Sequence, residues 1–273
     1  MAAVQKVHTQ TLPNGITFGL IEVPAGSFYI GDTDHEIHLR AFCLGKFPVT
    51  QELWLAVMGG ENPAGFIGDK HPVEMVSWYE AAAFCNTLNA QCGYQPRYFQ
   101  DAAFSQKLDA ETAARIEYGD TFEVFVAPDH QGYRLPSETE WEYAAIDAQK
   151  KAAYDYAGGN TLDELGWYDN NSHGQTQPVG LKLPNELGLH DLSGNVWEWC
   201  EDQYQGDLHK IPKDGSPWLK EESGARRVLR GGGWNDYAQS CRPSSRDNPY
   251  PSSQLNRYGF RVVLFPPPVS WPV

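Results

Sequence analysis

Apolar and polar positions alternate along GLIEVPAGSFYIGD, residues 19–32, and the alternation breaks at Pro24-Ala25-Gly26. A period of two puts one set of side chains on a buried face, so this run predicts two short strands joined by a turn. HLRAFCLGKFPVT reads as one further strand that ends before Thr50. The period then lengthens. Thr50 stands where an N-cap belongs, ahead of Leu53, Trp54 and Val57 on one helical face. Ser77 opens a second helix, SWYEAAAFCNTLNA, in which Trp78, Ala82 and Cys85 recur at helical spacing. Ser137 and Glu140 form a capping box for a third helix, which turns Trp141, Ala144 and Ala145 inward.

Other stretches carry less pattern. Residues 92–131 read as an inserted excursion, with VFVAPDHQGYRL predicting a pair of strands around Pro128-Asp129. Residues 150–188 read as a long Gly- and Asn-rich loop without helix signals. RVLRGG and YGFRVV supply closing strands, and PPPVSWPV a short rigid tail. Short strands, few long helices, no repeat and no Pro/Ser linker predict one α+β domain over residues 1–273.

Composition sharpens this picture. The 9 Trp, 14 Tyr and 12 Phe can fill a sizeable core, while 26 Gly and 19 Pro fit a chain that turns often. A net charge of −14 argues against a nucleic-acid partner, because phosphates would be repelled at long range. The charge is uneven: from Ser223 onward there are seven arginines, two aspartates and no lysine or glutamate. Acidic clusters such as Glu138, Glu140 and Glu142, and Glu198, Glu201 and Asp202, read as a solvated acidic surface. No apolar run approaches the roughly 20 residues of a bilayer span. MAAVQKVHTQ lacks the regions of a signal peptide, so a cell-surface or secreted location requires a leader ahead of residue 1; the alternative is the cytoplasm. A monomer is expected. The five cysteines form no CxxC pair, which speaks against structural zinc, and Cys43, Cys85 and Cys200 read as small buried hydrophobes.

The segment from Arg230 to Val263 holds the candidate chemistry. RGGGW and YGFRVV bracket a middle of Asn, Asp, Tyr, Ser, Pro and Arg with no hydrophobic period, hence a loop. It is either an active site or a binding surface.

The ordered blocks FPVTQELW, HPVEMVSWYEA, GYRLPSETEWEYAA, NELGLHDLSGNVWEW, RVLRGGGW and YGFRVV resemble the formylglycine-generating enzyme / sulfatase-modifying-factor family, from Ile21 to Val263. The resemblance implies a C-type-lectin-like fold of the formylglycine-generating type. It also implies a copper- and oxygen-dependent oxidase where two C-terminal cysteines are present. Here the positions of that motif fall on Gly233, Asp236 and Cys241, so a carboxylate replaces one thiolate. Soft Cu(I) prefers two thiolates, and no copper is expected. The family's calcium site, carried over, would use the side chains of Asp191 and Glu198 and the carbonyls of Gly194 and Val196.

Within the family, the C-terminal loop resembles the variable proteins of diversity-generating retroelements. There, rewritten Asn-type codons yield Tyr, Ser, Asp, Arg, Pro, Leu and similar residues, never Lys, Glu, Met, Gln or Trp, and only Gln239 and Gln254 fall outside that set between Asn235 and Tyr258. The resemblance implies a non-catalytic binding region over residues 234–258, built from Trp234, Asn235, Asp236, Tyr237, Ser240, Ser244, Ser245, Asp247, Asn248, Tyr250, Ser253, Asn256 and Tyr258. Tyr would supply rigid contact area and Ser, Asn and Asp adaptable hydrogen bonds, toward a protein or glycan ligand on another cell or surface. Two alternatives stay open: an oxidase acting on sulfatase cysteines, and a structural envelope accessory protein whose loop merely packs.

Overall fold

The computed structural model describes residues 7–128, 130–148, 154–220 and 225–265, so Asp129 and the PPPVSWPV tail lie outside the described residues. The chain opens with β1 (Val7–Thr11), β2 (Thr17–Val23), β3 (Gly26–Tyr29), β4 (Glu36–Leu39) and β5 (Phe42–Gly45). Then come α1 (Gln51–Met58), α2 (Trp78–Cys92), β6 (Tyr98–Phe99), α3 (Ala110–Ala114), β7 (Phe125–Val126) and β8 (Gly132–Arg134). The second half holds α4 (Glu138–Ala145), α5 (Leu162–Leu165), β9 (Trp197–Gln203), β10 (Arg227–Arg230), β11 (Arg246–Asp247), β12 (Tyr258–Gly259) and β13 (Val263–Phe265).

One sheet runs β1-β2-β5-β13-β8 and a second runs β11-β10-β9-β12. Period-two alternation divides their side chains between two cores. Leu20, Cys43, Leu264 and Tyr133 join α1 and α2 on one side, with Trp197, Trp199 and Leu229 from the second sheet. Ile21, Phe42, Leu44 and Val263 join Trp141, Tyr143 and Ala144 of α4 on the other, with Cys200 and Val228. All seven residues of β9 are buried, because its two faces serve different cores. The three helix starts follow the sequence: Thr50 accepts from Leu53 N–H, and Ser77 and Ser137 close complete capping boxes with Glu80 and Glu140.

The elements depart from the sequence expectation in three places. HLRAFCLGKFPVT is two strands, not one: β4 pairs with β3 while β5 joins the five-stranded sheet. The two strands of VFVAPDHQGYRL do not pair with each other. β7 closes on β6, across the excursion, and β8 lies against β13. The 150–188 loop contains the single turn α5. Local pattern reports that a strand exists; it does not name its partner.

The acidic clusters depart furthest. Glu138, Glu140, Glu142, Glu198, Glu201 and Asp202 are all buried, none more than 5% exposed. Arginines meet them: Arg134 pairs with Glu140, Arg97 with Glu201, Arg230 with Glu142, Arg246 with Glu138 and Arg261 with Glu198. Buried charges persist when paired and hydrogen-bonded. The arginine-rich C-terminal segment compensates Glu138, Glu142 and Glu198, while Arg97 and Arg134 from earlier in the chain compensate Glu201 and Glu140. Asp202 accepts from the Glu138 and Trp218 N–H groups.

Candidate ligand-binding face

The loop enters from β10 through two glycines in left-handed conformation, Gly231 (φ 101°) and Gly232 (φ 78°). A Cβ on Gly232 would lie 2.8 Å from Cys241 Sγ and 2.9 Å from the Ser240 carbonyl, so the motif's glycine is needed for both dihedral and space. At the exit, Tyr258 pairs with Trp197 in parallel register and Gly259 with Glu198. Arg261 then donates to both oxygens of Glu198, at 2.6 Å each, and to the carbonyls of Gly45 and His190. Midway, Arg246 grips Glu138 through two hydrogen bonds, at 2.5 and 2.8 Å. From the entry side, Arg230 donates to the Ser244 and Ser245 carbonyls. Three cationic anchors hold the loop to the body.

Between these anchors the thirteen expected residues fall into distinct environments. Asn235, Tyr237, Ser244 and Tyr250 are exposed, Tyr237 by 74% and Tyr250 by 42%. Trp234, Asp236, Ser240, Ser245, Asp247, Asn248 and Asn256 are half-buried, and several brace the loop. Asp236 accepts from the Trp197 indole at 2.7 Å and from Gly233 N–H at 3.0 Å. Trp234 donates to the Asn256 carbonyl, and Ser245 to that of Gln239. Ser253 and Tyr258 are buried, Tyr258 against Trp199 with ring centroids 5.5 Å apart, so these two belong to the support and not to the exposed face.

Exposed neighbours complete the surface. Gln239, Arg242, Gln254 and Leu255 stand open to solvent. Both glutamines sit at codon positions outside the accessible set, so the compositional signal passes over them. Arg226 lies 4.6 Å over the Tyr250 ring, and Tyr118 of the excursion, 75% exposed, meets the same ring edge-on at 6.4 Å. Gly119 N–H donates to Ser252 Oγ, 133 positions downstream. No local pattern could have placed Tyr118 here.

The metal chemistry implied by the resemblance does not fit these residues. Cys241 is fully buried, and burial, aided by the Asp236 charge, pushes its thiol up to about 12. Its would-be partner Asp236 is committed to two N–H groups, so no pair of thiolates exists for Cu(I). At the expected calcium turn, both oxygens of Glu198 are taken by Arg261, and one also accepts from the Trp141 indole. Asp191 accepts from Gly180 N–H and the Asn195 amide, and burial raises it to about 6. A guanidinium seated on a prospective ligand competes directly with a hard cation, so Asp191, Gly194, Val196 and Glu198 form a braced turn. Among the described residues no group of three or more His, Cys, Asp or Glu gathers as a metal site. Nor is any helix among them long and apolar enough to cross a membrane.

Comparison with known proteins places this architecture. The solved structure of Treponema denticola variable protein 1 matches with a TM-score of 0.82 and 34% identity, over 97% of this chain and 100% of that one. Chaperone protein LppX of Paenibacillus barcinonensis is 34% identical over 79% of this chain and 78% of its own length. The formylglycine-generating enzyme of Thermomonospora curvata is 28% identical over 78% of this chain, which spans 64% of that enzyme. The α+β fold of the formylglycine-generating type implied by the motifs is the fold observed. With the sulfatase-modifying factor enzyme 1-like family model matching residues 6–265, the chain belongs to that family.

Proposed function

We propose that the chain is a non-catalytic ligand-binding protein that presents the 234–258 loop, with Tyr118 and Arg226 beside it, as a recognition face. The observation that carries this reading is the division of labour within the loop. Asp236, Arg246 and Tyr258 fasten it, whereas Asn235, Tyr237, Ser244 and Tyr250 face solvent with no part in the core. Exposed tyrosines beside short polar side chains are paratope chemistry. The likeness to a variable protein supports a loop diversified by a retroelement, and the ligand would be a protein or glycan on another surface.

The test joins binding to genomics. Purified protein screened on protein and glycan arrays should give a ligand whose binding disappears on combined alanine substitution of Asn235, Tyr237 and Tyr250, with the melting temperature unchanged. A near-copy of the segment and a reverse transcriptase gene should adjoin the coding sequence. Copper-dependent turnover of a sulfatase-type cysteine peptide, abolished by Cys241→Ser, would overturn the reading in favour of an oxidase. The likeness to LppX favours a second reading, in which the same face holds a client protein as a chaperone does. Rescue of a client's folding yield by the intact protein, lost in the triple alanine variant, separates it from simple recognition.

A further inference from the structure

Five arginines are buried among the described residues, and four of them hold a carboxylate: Arg97, Arg134, Arg230 and Arg261. Arg227 does not. It is 5% exposed, its guanidinium lies 3.8 Å over the Trp78 ring, and it donates one hydrogen bond, from Nη1 to the Glu201 carbonyl. The nearby acids are occupied elsewhere. Glu201 spends both oxygens on Arg97, and Asp202 accepts from the Glu138 and Trp218 amides while burial pushes it well up, toward its neutral form. Burial lowers Arg227 to about 10, so it still carries its charge at neutral pH. A buried, charged guanidinium without an anion among the described residues is an expensive arrangement for a fold that pairs the others.

Arg227 lines a cavity of about 380 Å³ between the excursion and the second sheet. Tyr79, Phe104, Val124, Phe125 and Leu219 supply apolar wall, and Gln203 a second polar group. Glu123 and Lys220 stand exposed at its edge, where solvent screens both. We infer that this cavity binds a small apolar carboxylate, its acid group on Arg227 and its hydrocarbon body against Phe104, Phe125 and Leu219. An arginine fork matches the two oxygens of a carboxylate, and the wall matches an aromatic or short aliphatic body. The site does not rest on the loop reading; only Pro251 of that segment touches it.

Calorimetric titration of the whole protein with phenylacetate tests this, with phenylacetamide as the neutral isostere. The acid should bind at one site and the amide at least about tenfold more weakly. Arg227→Met should lose the acid by a similar factor. Because that change could disturb the Trp78 stack, Ala102→Trp provides a second arm: Ala102 is an exposed residue at the cavity lip, so a tryptophan there should block entry without altering the melting temperature. Equal binding of acid and amide, acid binding indifferent to both variants, or no heat up to about 10 mM acid overturns the inference. Each of these outcomes leaves array binding by the loop unaffected, so the two readings fail separately.

Discussion

Arg261 and Glu198 are both fully buried, and each is the other's charge partner. Removing one member of such a pair strands the other, so Arg261→Met should cost about 3–5 kcal/mol in denaturant unfolding. The double variant Arg261→Met, Glu198→Gln should recover part of that loss. Glu74 shows the opposite case, a buried acid without a cationic partner among the described residues. Its Oε1 accepts from Phe66 N–H, its Oε2 has no hydrogen-bond partner, and burial raises it from the ordinary 4.5 to about 7. The folded protein thus keeps a proton that the unfolded chain gives up near pH 4.5. This contribution to stability is complete below about pH 4.5 and is lost as pH rises through about 7. Glu74→Gln should flatten that decline in melting temperature, leaving the same-signed slope from Asp191, which burial raises to about 6.

At the scale of elements, α4 gives each of its three glutamates a separate task. Glu138 receives Arg246, Glu140 caps Ser137 and receives Arg134, and Glu142 receives Arg230 and Gly31 N–H. The capping box was legible because it spans four residues; the burial was not, because Arg230 and Arg246 lie far downstream. Likewise the ends of the loop were legible in RGGGW and YGFRVV, where glycine geometry is local. The contribution of Tyr118 was invisible, since only the folded excursion brings it to Tyr250. The division between face and support is measurable in the same assay. Tyr237→Ala and Tyr250→Ala should each change stability by less than about 0.5 kcal/mol, as exposed sites do. Tyr258→Ala, at 3% exposure beside Trp199, should cost about 3–5 kcal/mol, the scale for emptying a buried aromatic site.

Across the whole molecule, the chain's last described strand lies inside the five-stranded sheet, not at its edge. β13 lies between β5 and β8 and divides its side chains between both cores. A chain ending before Tyr258 should therefore fail to fold, as a flat near-ultraviolet circular dichroism spectrum would show, even though the deleted part is short. The fold class was legible from the order of its motif blocks, but the strand partners were settled only by such long-range closure. The grip of Arg246 on Glu138 has a consequence for variation. It divides one long loop into two shorter ones, each with its own closure entropy. Substitutions on either side should then act independently: a double-mutant cycle between Tyr237 and Tyr250 should give a coupling below about 0.5 kcal/mol in stability. A surface partitioned in this way can be searched half by half, with a change tolerated in one half carrying no penalty into the other.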